Sequence, residues 1–511
     1  MKKLPQGISV ILFTILFNIF FWQEKFGINL TLFVLIFGGL LFLQNPTTKN
    51  NKQTLLALLG IVFSSAGVLY HNSLFSKIML FSSVFLFVAS LMEKQLKTIY
   101  LLIPSGFLSI ITSPFRKNSF FSVPDTGLSG KAWKWFKLAV IPLCITILFT
   151  IIYSSANPVF ANKLNIIFEN LGDYLSHIFE HYPFARFLFI GFGLLTGIGI
   201  YYYQSLHLFD NNEPLKNNNL QREKQPLNSA SIKKSASMIA LKTEFRMALI
   251  TLIALNALLL CVNLLDINVF FLERNAMNSD YSSMLHKGTW ILIFSIILSA
   301  IIVLYIFRKN LNFYPKNKSL KIATYVWICQ NVLLTCSVLM RVYHYVIHHG
   351  LAYKRIGVVI FVSATLFGLA TLIFKVKAKK TNTYLLKTNA IAVFLILLIS
   401  SLFNWDVIIT KHNLAHAESK QIDYLFELSL SDKTLPILDQ HRKLLINKNR
   451  DYRKYNFLYK WTKNQSLIER LDYRIEKFKH NYQKQSFLSW NWSDQQTATY
   501  FDIQREISVK K

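Results

Sequence analysis

The residues able to do chemistry fall into four groups. Arg341, Tyr345 and His348 recur at i, i+4 and i+7, on one helical face, with His344 beside them and His349, Lys354 and Arg355 following. Such a cationic cluster suits an anion: a lipid head group, a phosphate or a carboxylate. His344 and His348 have the i, i+4 spacing of a metal pair but lack a third ligand nearby. The plainer alternative is an interfacial belt of snorkelling side chains. A second group is Asn256 and Asn263, seven apart on one face, in a segment opened by Glu244 and Arg246 and closed by Asp266. A third is the Gln330-Asn331 pair. Amides inside an apolar helix either bond a neighbouring helix or line a polar pathway. The fourth is His286 with Asp266, Glu273 and Asp280, which reads as a base or ligand among carboxylates or as a solvated loop.

Signatures of other chemistries are missing. The sequence has no Walker A loop, GxSxG, HExxH or GxGxxG, so nucleotide-driven work and the common hydrolase mechanisms are not indicated. No metal or cofactor is expected. Cys144, Cys261, Cys329 and Cys336 all lie in apolar runs without a CxxC pair, and read as buried thiols acting as small hydrophobes. Asp423, Glu427, Asp432 and Asp439 lack a convincing pair and read as a solvated face.

The elements carrying these residues follow from composition. Of the 511 residues, 52% are hydrophobic and only 16% charged, against about 25% charged in soluble domains. That excludes disorder, coiled coil and a single soluble domain, and it specifies a multi-pass membrane protein. Apolar runs long enough for a span cover 5–22, 28–43, 54–70, 74–92, 136–155, 185–203, 245–265, 289–307, 320–340, 357–375 and 385–403. The N-terminal run has no small-x-small cleavage site and reads as a retained first span. A twelfth run, 97–113, carries Pro104-Ser105-Gly106 at its centre, which predicts a broken or re-entrant segment.

Charge orders the topology. The excess of 56 Lys and Arg over 26 Asp and Glu falls mostly between apolar runs, which points to anionic lipid rather than nucleic acid. With eleven spans and a non-crossing 97–113, Lys2, Lys3, Lys49, Lys52, Lys94, Arg116, Lys117, Lys216, Arg222, Arg308, Lys309, Lys377 and Lys379 share the cytoplasmic side. Nearly every basic short loop then lands on one side; the exception is 341–356, where Arg341, Lys354 and Arg355 would face outward. The N-terminus is then cytoplasmic and the C-terminal region outside, in the plasma (inner) membrane.

The expected fold is an all-α polytopic bundle with a small helical, soluble C-terminal domain. Its parts are an N-terminal membrane block 1–203, a polar basic linker 204–243, a second membrane block 244–405, and the helical domain 406–511. In that domain Leu425, Leu428, Leu435, Leu438, Leu444 and Leu445 recur at helical spacing, and Ser431-Asp432 marks a helix start. Trp461, Phe478, Phe487, Trp490 and Trp492 form a core or rest on the bilayer. Three or four helices are expected there.

A series of short motifs occurs in fixed order. It includes Phe21-Trp22 with Gly27-Ile28-Asn29, Ser155 to Phe160, Thr243-Glu244-Phe245-Arg246, Val262 to Asp266, and His286 to Trp290. Arg341-Val342-Tyr343, His349-Gly350-Leu351 with Arg355, Asn404-Trp405-Asp406, Asn413-Leu414, and Asp423-Tyr424-Leu425 with Leu428-Ser429 and Asp432 continue it. The series resembles a bacterial family of multi-pass membrane proteins, the domain of unknown function 4173 family, most strongly over 240–435. Asn157, His349 and Ala352 depart from its pattern. The resemblance implies the architecture and no activity.

Three functions remain open at this point. One is a transport-like or lipid- or anion-binding envelope protein, which requires a hydrated cavity lined by Arg341, Gln330, Asn331, Asn256 and His286. The second is a scaffold or sensor working through its C-terminal domain, which requires a dry bundle and an exposed apolar patch on 406–511. The third, an enzyme on a lipid-linked substrate, requires acid and base groups converging at the outer face, such as His286 with Asp266 or Asp406. The expected partners are membrane lipids and an unidentified protein.

Overall fold

The computed structural model describes residues 5–45, 51–93, 96, 98–115, 146, 150, 162–167, 169, 184–205, 218–220, 231–267, 280–307, 310–417, 422–447 and 466–505. The predicted span 136–155 lies almost wholly outside these residues, as do Trp461, His286 as a side chain, and most of 204–230.

Among the described residues the chain is helical, and none forms a strand. In order come α1 (Gln6–Phe21), α2 (Ile28–Gln44), α3 (Lys52–His71), α4 (Leu74–Met92), α5 (Ile99–Thr112), α6 (Phe184–Tyr201), α7 (Ser231–Ile267), α8 (Asp280–Ile306), α9 (Lys318–His349), α10 (Tyr353–Lys377) and α11 (Asn382–Ser400). Six described segments are long and apolar enough to cross a bilayer: Lys52–His71, Leu74–Met92, Leu241–Ile267, Lys318–His349, Tyr353–Lys377 and Asn382–Ser400. Shorter apolar helices run over Gln6–Phe21, Ile28–Gln44, Ile99–Phe115, Ala185–Tyr201 and Leu292–Ile306.

Local chemistry sets the boundaries. Asn51, Ser73 and Thr381 cap α3, α4 and α11 by accepting from the backbone N–H of Gln53, Ser76 and Tyr384. Inside the helices, Ser64, Ser83, Thr324 and Thr335 return their hydroxyls to the carbonyl four residues back, so they need no outside partner. Between apolar helices in lipid the hydrophobic effect gives little drive, so close packing must do the work. Rings of Phe13, Phe33 and Phe37 meet at 4.6–4.9 Å, and Phe17 stacks on Phe189 at 4.8 Å.

Two large cores and a smaller one, of Ile293, Val338, Val342, Val358 and Val362, hold the described helices of the bundle together. One large core joins α1–α6 with Phe394 and Leu398 of α11; the other joins α7–α10 with Leu385 of α11. Side-chain bonds fix directions. Gln44 reaches Ser9 and Thr54 reaches Ser90, so α1/α2 and α3/α4 are antiparallel. Asn256 reaches the carbonyl of Ala323, and Asn263 that of Gln330, so α7 and α9 run parallel.

Two expectations are corrected here. Pro104 does not break its segment: α5 is continuous through it. The interior proline forfeits one hydrogen bond and costs about 3 kcal/mol, but α5 packs tightly enough to offset it. A Cβ on Gly106 would lie 2.5 Å from the Phe85 carbonyl oxygen of α4. The middle of α5 and the residue just past it nevertheless meet the ends of α4 and α6. Ser105 and Tyr203 donate to Glu93, just past α4, and Ser113 accepts from the Gln204 N–H, just past α6. Of the stretch 204–243, read above as a linker, part is described. Residues 231–243 belong to α7, and Asn219 forms an antiparallel bridge with Lys380. The three described cysteines, Cys261, Cys329 and Cys336, are exposed on the bundle surface rather than buried.

Among the described residues the C-terminal helices include α12 (Trp405–Ala415), α13 (Tyr424–Glu427), α14 (Leu435–Gln440), α15 (Leu467–Gln483) and α16 (Trp492–Tyr500), where three or four helices were expected. Ser431 starts a 3-10 turn, Asp432–Thr434. Ser466 and Glu469 form a capping box at the start of α15. Leu428, Leu435, Leu438, Leu445, Leu467, Leu471 and Phe478 fill a core of their own. Phe487 and Trp492 stay outside it, 67% and 45% exposed. This unit sits on the bundle end that carries the α1–α2 turn, the α3–α4 turn and the end of α11. Ile28 N–H donates to the Trp490 carbonyl (2.9 Å), Lys25 N–H to Ser489 Oγ (2.9 Å), and Ser493 Oγ to the Tyr70 carbonyl (2.9 Å).

Candidate functional site at the junction of bundle and C-terminal helices

The polar residues singled out in the sequence are divided among separate interactions. Asn256 donates to the Leu252 and Ala323 carbonyls (2.7 and 3.0 Å), and its Oδ1 accepts from Gln330 Nε2 (3.0 Å). Asn263 donates to the Gln330 carbonyl at 3.2 Å. The seven-residue repeat on α7 thus stitches it to α9. Asn331, buried beside Gln330, bonds only back to Trp327 in its own helix (2.8 Å).

The expected cluster of Arg341, Tyr345, His348 and Arg355 splits. Arg341 pairs with Asp266 at the end of α7 (2.7 Å), and Ser337 also donates to Asp266. The two charged side chains are only 16% and 14% exposed. Arg355 turns back on the α9–α10 connection. It donates to the His349 and Gly350 carbonyls and lies 4.3 Å from the Tyr345 ring, which stacks on His349 at 4.5 Å. His348 is exposed and joins neither group. Asp266 is therefore an ion-pair partner, and its proposed neighbour His286 lies outside the described side chains. Among the described residues no three of His, Cys, Asp and Glu converge as metal ligands.

The junction itself was missed. Asn413 on α12 pairs twice with Leu351, accepting from its N–H (2.6 Å) and donating to its carbonyl (2.9 Å). It also donates to Glu427 Oε1 at 2.6 Å. Gly350 makes room: its φ is +74°, and a Cβ there would lie 2.5 Å from Asn413 Oδ1. Glu427, read from sequence as part of a solvated face, is fully buried. Burial pushes its carboxyl up from the ordinary value, against the downward pull of the Asn413 bond. Burial raises the Tyr424 hydroxyl as well. Lys433 donates to the His71 carbonyl at the α3–α4 turn, and burial holds its ammonium down against the opposing pull of Asp494, Asp406 and Asp432. Arg474 on α15 braces the same region, donating to the Leu428 and Leu430 carbonyls (2.8 and 2.7 Å) and to Asp432 (2.9 Å). One signal in the sequence pointed here. Glu427 stands among Leu425, Phe426 and Leu428, behind Asp423, whose carboxylate caps the turn by accepting from the Leu425 and Phe426 N–H groups.

Residues 53–441 match the model of the family described as "Domain of unknown function (DUF4153)". The chain belongs to that family. This corrects the resemblance drawn from the short motifs, which pointed to the 4173 family: motifs of two to six residues, ordered along an apolar chain, did not separate the two. No curated protein and no solved structure matches the chain. The DUF4153 match opens at α3 and closes just past α14. It includes the Asp266–Arg341 pair and the Asn413–Glu427 junction, and leaves α1, α2, α15 and α16 outside.

Proposed function

We propose that this DUF4153 protein is a non-catalytic scaffold or sensor of the plasma membrane. Its C-terminal helices are held and positioned by an eleven-span bundle. One observation carries the reading: Asn413 spends its whole amide on Leu351 of the bundle and on buried Glu427 of the C-terminal helices. That bond set joins the backbone of Leu351 to the buried Glu427 carboxyl through one amide, so displacing one part displaces the other.

The transport-like reading loses support because its residues have internal partners. Arg341 is answered by Asp266, and Asn256 and Gln330 by each other. The exposed rings of Phe487 and Trp492, beside the bundle, suit a bilayer surface or a partner protein. For topology, the meeting of mid-helix Ser105 with Glu93 and Tyr203, at the ends of α4 and α6, supports a non-crossing 97–113. With the charge pattern, that gives a cytoplasmic N-terminus and an outward, soluble C-terminal domain.

The test uses the full-length protein in nanodiscs and in liposomes. Hydrogen exchange at 350–352 and 422–430 is expected to change together when lipid composition or pH changes. Ion and proton flux is expected to equal that of protein-free liposomes. Flux above that background, or exchange at the two segments changing independently, overturns the reading.

A further inference from the structure

We propose that the cavity lined by α1 to α6 binds an acyl chain of an anionic phospholipid, with the head group held by Lys77 and Arg186. The inference relies on the chain being embedded in a membrane, and not on the role assigned to its C-terminal helices.

The cavity has a volume of about 660 Å³, within the usual range for small-molecule sites. Its walls are chiefly aromatic, including Phe13, Phe17, Phe33, Phe37, Phe85 and Phe192. Only two lining residues, Glu24 and Thr196, are polar. The Thr196 hydroxyl is committed to the Phe192 carbonyl (2.9 Å), and Glu24 accepts from Ser486 and Ser489 (2.6 and 2.8 Å) at the cavity mouth. A buried water needs two to four polar partners, which these walls do not offer. An apolar guest suits them.

Length and charge narrow the guest. Along α2 the lining runs from Leu30 to Leu41, about 16 Å at 1.5 Å per residue. One leaflet of a hydrocarbon core is about 15 Å deep. The lining residues Phe107 and Phe192 are exposed, 46% and 62%, so the cavity opens sideways onto the bundle surface, where lipid chains would lie. Basic residues mark the end nearest the C-terminal helices. Lys77 stands one turn before the lining residue Phe81 on α4, its Nζ 6.0 Å from the Phe26 ring. Arg186 stands one turn before Phe189 on α6, its guanidinium 5.8 Å from the Trp22 ring. A chain inserted along the Phe walls would leave its phosphate at these two cations, the geometry of an anionic lipid in one leaflet.

The experiment uses purified full-length protein with phosphatidylglycerol carrying a photoreactive diazirine on one acyl chain, and the phosphatidylcholine analogue for comparison. Peptide mapping should place the label on 30–41, 81–88 and 189–200. Phosphatidylglycerol should label more strongly, by about fivefold for each basic residue. The Lys77→Gln, Arg186→Gln double variant should lose that preference and keep the labelling. Gly38→Phe, whose new Cβ would meet only Phe87 at 3.9 Å, should fill the cavity and cut labelling about tenfold. Labels scattered over all apolar helices, equal labelling by both lipids, or undiminished labelling of a folded Gly38→Phe variant would each overturn the proposal. The mapping on unaltered protein decides even if the variant fails to fold.

Discussion

Replacing Gly27 with alanine should loosen the C-terminal helices from the bundle while leaving the bundle intact. Gly27 ends the α1–α2 turn, and a Cβ built on it would lie 2.6 Å from the Ser489 carbonyl carbon, the Ser489 oxygen and the Trp490 oxygen. Carbon contacts are optimal at about 3.5–4.0 Å, so the 489–490 backbone must retreat by about 1 Å. That retreat strains the Ile28–Trp490 and Lys25–Ser489 bonds, each now 2.9 Å. Overpacking of this kind costs about 1–3 kcal/mol, and each lost bond adds about 1 kcal/mol. Relief is partial, so about 2–4 kcal/mol is expected, a factor of about 30 to 700 in the local opening equilibrium. Gly27 is also the N-cap of α2, where alanine is the poorer residue by about 1 kcal/mol, a loss confined to the first turn of α2. Amide hydrogen exchange on the full-length protein reads the result directly. Protection at 25–29 and 486–494 should fall by that factor, with α3 and α4 unchanged. Gly39→Ala is the control, because its Cβ would meet nothing within 4 Å, and it should leave exchange at both segments unaltered. Equal protection in Gly27→Ala and unaltered protein would refute the close approach.

Three further outcomes follow from the same geometry. Glu427 has a raised folded-state pKa, so its contribution to stability is complete below the ordinary carboxylate value of about 4.3 and is lost as pH rises through the folded value. Glu427→Gln, which can still accept from Asn413, should flatten that part of a melting-temperature profile, and an unchanged slope would sink the assignment. Removing Arg341 or Asp266 alone should cost about 2–4 kcal/mol by leaving a shielded charge unpaired; Arg341→Gln with Asp266→Asn should cost less than the two singles summed, whereas strict additivity in chemical denaturation would deny the pair. Asn256→Ala should destabilise by about 1 kcal/mol more than Asn331→Ala, because only Asn256 crosses to another helix, and equal losses would contradict the stitching of α7 to α9.

The sequence disclosed the apolar helices because length and composition suffice for them. It disclosed less about what they touch. Arg341 and Tyr345 share a helical face by spacing, yet four residues along a helix also mean about 6 Å of rise and about 40° of rotation. That is enough for Arg341 to meet Asp266 of α7 while Tyr345 meets Arg355 of α10. Pro104 misled for a related reason. A local rule assigns it a break, but the packing of Gly106 against the α4 backbone outweighs one missing bond. Glu427 was misread because its partner Asn413 lies fourteen residues earlier, on another helix.

The points where the bundle grips the C-terminal helices, at Gly350, at Gly27 and at the Lys433–His71 contact between them, are built differently, and this decides how the grip can open. At Gly350 the polar part of the grip runs through Asn413 to a buried carboxyl, beside an apolar cluster of Ile356, Ile409 and Leu430, so part of its strength follows a protonation state. At Gly27 it runs through backbone atoms and hydroxyls of 489–493, which do not titrate near neutral pH, and through the Glu24 carboxylate, which accepts from Ser486 and Ser489. The first point holds 422–430 and the second holds 486–494, with α15 between them braced by Arg474. Units joined through few bonds open separately at their own free energies. A pH step should therefore release the α13 side alone, and Gly27→Ala the α16 side alone. A shared response to both would mean that Arg474 and the core around Leu471 bind the helices into one cooperative unit.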